Sequence, residues 1–294
     1  MKNFSLISIL LLPMVMFISI GAGCTAPKDV NMPVVLLTDF GIEDYRVLQL
    51  KGIILNSNPG ARVIDACHSV PAFDVCTGAY MLDIAAREFP ESVVFIAVIA
   101  PYTQPVPEYL VLTNAKNQIF VLPDNGLLTY VVKDTGVKTV YKFTNGGLFD
   151  RPVKDLVAER IQGRLGALIA AGYQPKDIGI PVTSYKTFDV QEPAISGGTL
   201  LGTAVYIDHF GNAVTNISRK VADEFGLKPG DSIKITTPQA VVPARFGTIY
   251  SDVAQGEEVV FVSNNLDMLQ LSINLGNFAD KYKVTAGTRI KIEK

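Results

Sequence analysis

The apolar residues fall first into one long block and then into a series of short solid runs alternating with helical stripes. Residues 33–37 (PVVLL) form a solid run of the kind buried on both faces of a parallel sheet. The run breaks at Thr38-Asp39-Phe40-Gly41. From about Asp44 onward, Val47, Leu50, Ile53 and Ile54 fall on one face of a helix. Asn58-Pro59-Gly60 ends that helix, and residues 62–66 (RVIDA) begin a second strand. A second helix is predicted over 75–87, and residues 92–100 (SVVFIAVIA) form a third strand. This order implies right-handed crossovers, hence a mostly parallel sheet with helices on both faces. Residues 109–113 and 118–122 predict a hairpin, 123–126 a turn into a short helix, and 154–171 a long helix that Gly172 ends.

From Gln191 the texture changes. Helical periodicity disappears, and short strands are predicted over 200–208, 213–217, 232–236, 259–262 and 289–293. Glu192-Pro193 and Gly197-Gly198 mark the boundary, and turns such as Lys228-Pro229-Gly230-Asp231 separate the strands. The expectation is an α/β N-terminal domain over 33–190 and an all-β, barrel-like C-terminal domain over 191–294. With 294 residues, of which 48% are hydrophobic and 18% charged, the chain is long enough for two cores without disulfide or metal staples.

The first block is different in kind. Lys2 precedes an apolar stretch over 6–20, and Gly21, Ala22 and Gly23 stand directly before Cys24. This pattern predicts a lipoprotein-type signal peptide over 1–23, lipidation at Cys24, and a tether over 24–32. The mature protein is then expected to be exported and anchored to the bacterial cell envelope. A net charge of −2 without any block of like charge argues against a nucleic-acid surface. His68 and His209 are the only histidines, which gives little basis for a metal site. Cys67 and Cys76 are expected as buried thiols, with a disulfide as the alternative.

Ligands of open α/β sheets bind beyond the carboxyl ends of the strands. Here those ends carry Asp39, the Asp65-Ala66-Cys67-His68 segment, and Ala100-Pro101-Tyr102-Thr103. A carboxylate at Asp39 suits a pair of ribose hydroxyls, while Asp39 or Asp44 also suits a helix cap. Residues 34–52 (VVLLTDFGIEDYRVLQLKG), 58–75 (NPGARVIDACHSVPAFDV), 123–128 (PDNGLL), 208–217 (DHFGNAVTNI) and Asn274-Leu275-Gly276-Asn277 together carry a resemblance. They resemble the S-adenosylmethionine hydroxide adenosyltransferases and their fluorinase and chlorinase relatives. The resemblance implies a homotrimer, with substrate between one subunit's N-terminal domain and its neighbour's C-terminal domain. It also implies in-line attack at the ribose 5′ carbon, S-adenosylmethionine as substrate, and no cofactor.

Residue by residue, the resemblance gives Asp39 to the ribose and Asp44 to the same loop. It gives Asp208 to the methionine ammonium, Asn212 to the adenine edge with Phe210 nearby, and Tyr250 to packing on the base. Asp65 matches the aspartate of an Asp–Arg–His set, and Phe73 falls where the halogenase branch has tryptophan. The departures are Ala72 at the arginine position, Val157 near the histidine position, Arg46 in the first loop, and Leu266 in place of a polar side chain. The loop from Ala100 also differs, and the halide-binding serine has no match, so neither fluorinase nor chlorinase activity is specifically indicated. Two readings follow: a hydrolase of S-adenosylmethionine, or a catalytically impaired adenosine- or nucleoside-binding envelope lipoprotein.

Overall fold

The computed structural model describes residues 31–103 and 107–294. The predicted leader and Cys24 lie outside the described residues. The N-terminal part contains β1 (Val34–Thr38), α1 (Tyr45–Ser57), β2 (Val63–Cys67), α2 (Val75–Glu88), β3 (Val94–Val98), β4 (Tyr109–Asn114) and β5 (Ile119–Pro123). It continues through α3 (Thr129–Thr135), β6 (Val137–Phe143), α4 (Ala158–Ala170), α5 (Pro175–Ile178) and β7 (Gly179–Pro181). The strands lie in the order β2-β1-β3-β5-β4-β6-β7. From β2 to β5 the pairing is parallel, and β4, β6 and β7 extend the sheet antiparallel.

β1 and β3 are buried along their whole length because helices cover both faces. On one face Leu50 and Ile54 of α1 and Ile161 and Leu165 of α4 pack on Leu36 and Ile96. On the other, Leu82 and Ala86 of α2 and Val131 of α3 pack on Phe95 and Phe120. Gly166 lets α4 lie close to the sheet, since a Cβ there would sit 2.3 Å from Ile96 Cδ1. The long helix starts later than its apolar pattern suggests. Residues Val153–Asp155 form a separate 3-10 turn, and Val157 is extended with ψ 156° before α4 begins.

The C-terminal part contains β8 (Ala194–Ser196), β9 (Thr199–Ile207), β10 (Ala213–Ser218), α6 (Arg219–Phe225), β11 (Ser232–Thr236) and β12 (Val241–Phe246). β13 (Glu258–Val262), β14 (Met268–Ile273), α7 (Phe278–Tyr282) and β15 (Arg289–Glu293) complete it. The order β10-β14-β13-β12-β11-β15-β9 closes on itself through β9–β10 pairing, so seven strands form a barrel, and β8 adds a hairpin arm to β9. Closure leaves no free edge in the ring. Helix is not absent from this domain, contrary to the sequence-based expectation: α6 and α7 are single short helices capped by Ser218 and Asn277. Too short to show a periodic stripe, they are fixed by their caps and by the barrel they close.

The two parts meet at an aromatic contact. Tyr80 of α2 stacks on Tyr206 of β9 with centroids 5.9 Å apart, and Tyr130 approaches Tyr80 edge-on at 5.8 Å. One turn away on α2, Asp83 is fully buried, with one carboxyl oxygen bound to Arg87 and the other without a partner. Burial pushes its carboxyl up to about 6, with Asp134 adding to the rise while Arg87 and Lys116 oppose it. The folded state therefore holds a proton that the unfolded chain, with a carboxyl near 3.8, has released. The linkage stabilises the fold below about pH 4 and fades as pH rises through 6. In urea unfolding, wild type should gain roughly 2 kcal/mol over Asp83→Asn between pH 7 and pH 4.5. A wild-type-to-mutant difference independent of pH contradicts this.

Candidate active site

At the strand ends, Asp39 is a tie between loops. Its Oδ2 accepts from the backbone N–H of Phe73 and of Ala100, each at 3.1 Å. Both donors sit in left-handed backbone, with φ of 65° and 41°, a conformation costly for residues with a Cβ. The Asp39 carboxylate helps hold those two turns in place. Asn125, in the turn after β5, braces the same region by donating to the carbonyls of Ile99 and Ala100 at 3.0 Å. The Phe73 ring is left 80% exposed beside this loop. Asp44 has a local job. It caps α1 through the Arg46 N–H at 2.8 Å and pairs with the Arg46 guanidinium at 3.0 Å. Arg46 in turn lies over the rings of Tyr45 and Phe40, at 5.4 and 5.8 Å. Capping is the role the structure gives Asp44, and no contact joins it to Asp39.

Asp65 lies on β2, the parallel edge strand, opposite Leu36 of β1. The departures at Ala72 and Val157 imply a carboxylate without a cation, and here the structure differs. Lys51 Nζ donates to Asp65 Oδ2 at 2.6 Å. His68 Nε2 stands 3.0 Å from Asp65 Oδ1, although its N–H does not point along that line and forms no directed hydrogen bond. The pair is ionic only when the imidazole is protonated. His68 Nδ1 is 2.9 Å from Thr38 Oγ1, so a buried imidazole links Asp65 to the residue adjoining Asp39. Partial burial raises the Asp65 carboxyl, but Lys51 and then His68 outweigh it and hold the group below its usual range. His68 thus ties the end of β1 to Asp65 on β2. Cys67 and Cys76 are free thiols, but Cys67 is half-buried and Cys76 exposed on α2, so neither is buried as expected.

The C-terminal half is built on the loop between β9 and β10. Asp208 Oδ1 accepts from the N–H groups of Phe210 and Asn212, both at 2.9 Å, and its Oδ2 accepts from Asn212 Nδ2 at 2.7 Å. Gly211 is required here. Its φ is +84°, and a Cβ would meet Asn277 at 2.0 Å. Phe210, Asn212 and Tyr250 then line a cavity of about 650 Å³ together with Ile273 and residues 274–277. Phe210 is 73% and Leu275 81% exposed at its mouth, whereas Asn212 is only 3% exposed. The structure therefore gathers Asp208, Phe210, Asn212 and Tyr250 as the sequence suggests. Leu266 packs on the Tyr80–Val205–Val214 cluster, which gives an apolar side chain a reason to stand there.

Lys51 and Gln270, which bonds to the Tyr250 hydroxyl at 2.7 Å, are the site residues that sequence reading missed. A signal for Lys51 exists. A right-handed crossover lays α1 along β1 and β2, and the residue after buried Leu50 then flanks the edge strand that carries Asp65.

A carboxylate fixed among strand ends, and an apolar cavity with a few convergent polar groups, are the parts of a small-molecule site. That defines a two-domain ligand-handling protein. The chain belongs to the SAM hydroxide adenosyltransferase family: residues 34–179 match its N-terminal domain and 202–291 its C-terminal domain. Among its relatives is a fluorinase of Actinoplanes sp. (strain N902-109), 27% identical over 303 residues and covering 91% of this chain and 99% of that one. An (R)-S-adenosyl-L-methionine hydrolase of Methanocaldococcus jannaschii is 32% identical over 213 residues, covering 70% of this chain and 74% of the relative. The crystal structure of an uncharacterized conserved protein from Thermotoga maritima superposes with a TM-score of 0.81 at 27% identity. It covers 89% of this chain and 100% of its own.

Proposed function

We propose that the protein transfers the adenosyl group of S-adenosylmethionine to water, giving adenosine and methionine. A water oxygen attacks the ribose 5′ carbon and the carbon–sulfur bond breaks. The electron pair goes to sulfur, which leaves as a neutral thioether, and the water's proton passes to solvent by way of Asp65. The observation that carries this reading is the Lys51–Asp65 contact at 2.6 Å. An ionised, oriented carboxylate is what a water-attack site needs, and a cation beside it favours developing hydroxide character. Asp39 takes the ribose hydroxyls, and the Phe210–Tyr250 cavity takes the base.

One observation favours the second reading, a nucleoside-binding protein without turnover. Both Asp208 oxygens already hold their own loop, so Asp208 is poorly placed to grip a methionine ammonium. Incubating the full chain with S-adenosylmethionine and separating the products by chromatography decides between them. Adenosine and methionine in equal amounts support the hydrolase, and adenosine binding without product supports the binding protein.

We further propose a trimer in which Phe73 of one subunit faces Phe210 and Leu275 of the next. All three are large apolar side chains at the mouths of the two half-sites, the kind of exposure that marks an interaction surface. Light scattering should give three times the chain mass, and a monomeric mass at working concentration removes the shared site.

A further inference from the structure

The crevice at the strand ends can be mapped from the way α4 lies on the sheet. β1 and β3 are neighbours, yet α1 covers one face of the sheet and α2 the other. Their carboxyl ends are therefore the switch point of the fold, where open sheets hold ligands. α4 runs antiparallel to β3: Gln162 donates to the Ala97 carbonyl at 2.7 Å, and Gly166 lies against Ile96 and Val94. From Gln162 back to Glu159 the helix rises about 4.5 Å, against about 3.3 Å per residue of strand. Glu159 is thus level with Val98 to Ala100. Those residues meet Asp39 twice. The Val98 carbonyl accepts from its backbone N–H at 3.4 Å, and the Ala100 N–H donates to its carboxylate at 3.1 Å. Tyr102, further along the same loop, accepts from the Ala158 N–H at 2.9 Å and pins the loop to the start of α4. Glu159 is 6% exposed, and among the described residues no hydrogen bond or ion pair reaches its carboxylate. Its neighbours include Tyr109, whose hydroxyl is pushed up by burial and then by the nearness of Tyr102 and Glu159. A first-turn acid profits from the helix dipole, but an exposed one does so equally well. Burying a carboxylate without a counter-charge is costly, so the position calls for a cation from outside the chain.

We propose that Glu159 receives the sulfonium charge of the bound substrate and makes the crevice selective for a cationic 5′ substituent. The inference rests on the proposed seating of an adenosyl group with its ribose on Asp39. The sulfur is one bond from the 5′ carbon, whereas the substrate's ammonium lies three carbons further along a flexible arm. Breaking the carbon–sulfur bond turns the sulfonium into a neutral thioether, so the attraction holds substrate and releases product. Glu159 is then a specificity-determining residue that takes no proton and forms no bond. Its loss should raise KM and leave kcat nearly unchanged.

Calorimetry on the full chain tests this with adenosine, S-adenosylhomocysteine and sinefungin, on wild type and on Glu159→Gln. S-adenosylhomocysteine has a neutral thioether at the 5′ position, and sinefungin has a carbon bearing a protonated amine in place of the sulfur. Both keep the amino-acid arm, so the difference between them isolates the charge. Wild type should bind sinefungin about tenfold more tightly than S-adenosylhomocysteine, and Glu159→Gln should bind the two alike. Adenosine should bind the variant within about twofold of wild type, because it carries no charge at that position. Wild type binding sinefungin and S-adenosylhomocysteine alike overturns the proposal without recourse to any variant. A preference for sinefungin that survives in Glu159→Gln overturns it too. So do equal losses of all three ligands, since they mean damage to the crevice and not loss of one charge. If wild type binds none of the three, the failure lies in the proposed function itself.

Discussion

Asp65→Asn is expected to lower turnover of S-adenosylmethionine about a hundredfold or more while leaving adenosine affinity within about twofold. Asparagine keeps the shape but loses the charge that Lys51 and His68 hold in place. Nothing in the geometry gives Asp65 a part in holding the base or the ribose hydroxyls, so binding should be spared. Lys51→Met separates an electrostatic role from a structural one. Lys51 holds the Asp65 carboxyl down, so removing it lets that carboxyl rise, and the acidic limb of the rate profile should move to higher pH. Lys51→Arg should restore the limb. The ionisable groups acting on Asp65 are Lys51 from α1 and His68 from beyond β2. A Lys51→Met enzyme that is merely slower, with an unmoved limb, would count against the assignment. Undiminished turnover in Asp65→Asn would remove Asp65 from the mechanism.

The reach of the sequence follows from where the information is stored. β1 and β3 are legible because both faces are buried and the runs are solidly apolar. α1 and α2 are legible because one face packs and a capping aspartate precedes each. β12 was not predicted, because Pro243 within it reads as a break. It is tolerated there because β13 pairs with β12 only at Arg245 and Phe246, so that side of β12 is a local edge at Pro243. β6 carries two lysines and an exposed first half, so it lacks a clear apolar signature. The site divides in the same way. Asp39, Asp65, Asp208 and Asn212 stand out by motif. Their partners do not, because Lys51 reaches Asp65 across a crossover and Gln270 reaches Tyr250 across the barrel. Side-chain pairing between elements distant in the chain leaves no periodic trace. The same limit applies to Asp44, whose cap on the Arg46 N–H and pairing with the Arg46 guanidinium only the folded geometry displays.

Asp39 carries the other large effect, and two substitutions should divide its duties. In Asp39→Ala the N–H groups of Phe73 and Ala100 lose their acceptor while their backbones remain in left-handed conformations. That loosens the turns at two strand ends and removes the ribose acceptor as well, so adenosine affinity should fall about 10- to 100-fold, from ~1–3 kcal/mol. Asp39→Asn is the sharper test. Its amide oxygen can still accept from both N–H groups, so the turns and the melting temperature should be close to wild type. The other arm becomes an NH₂, which presents a donor to ribose hydroxyls that need an acceptor. Adenosine should therefore bind Asp39→Asn about tenfold or more weakly, whereas 2′,3′-dideoxyadenosine should bind it as it binds wild type. Calorimetry with the two nucleosides on wild type and Asp39→Asn gives the four numbers required. If Asp39→Asn stays folded and binds adenosine with unchanged affinity, the ribose lies elsewhere and Asp39 is only the tie between loops.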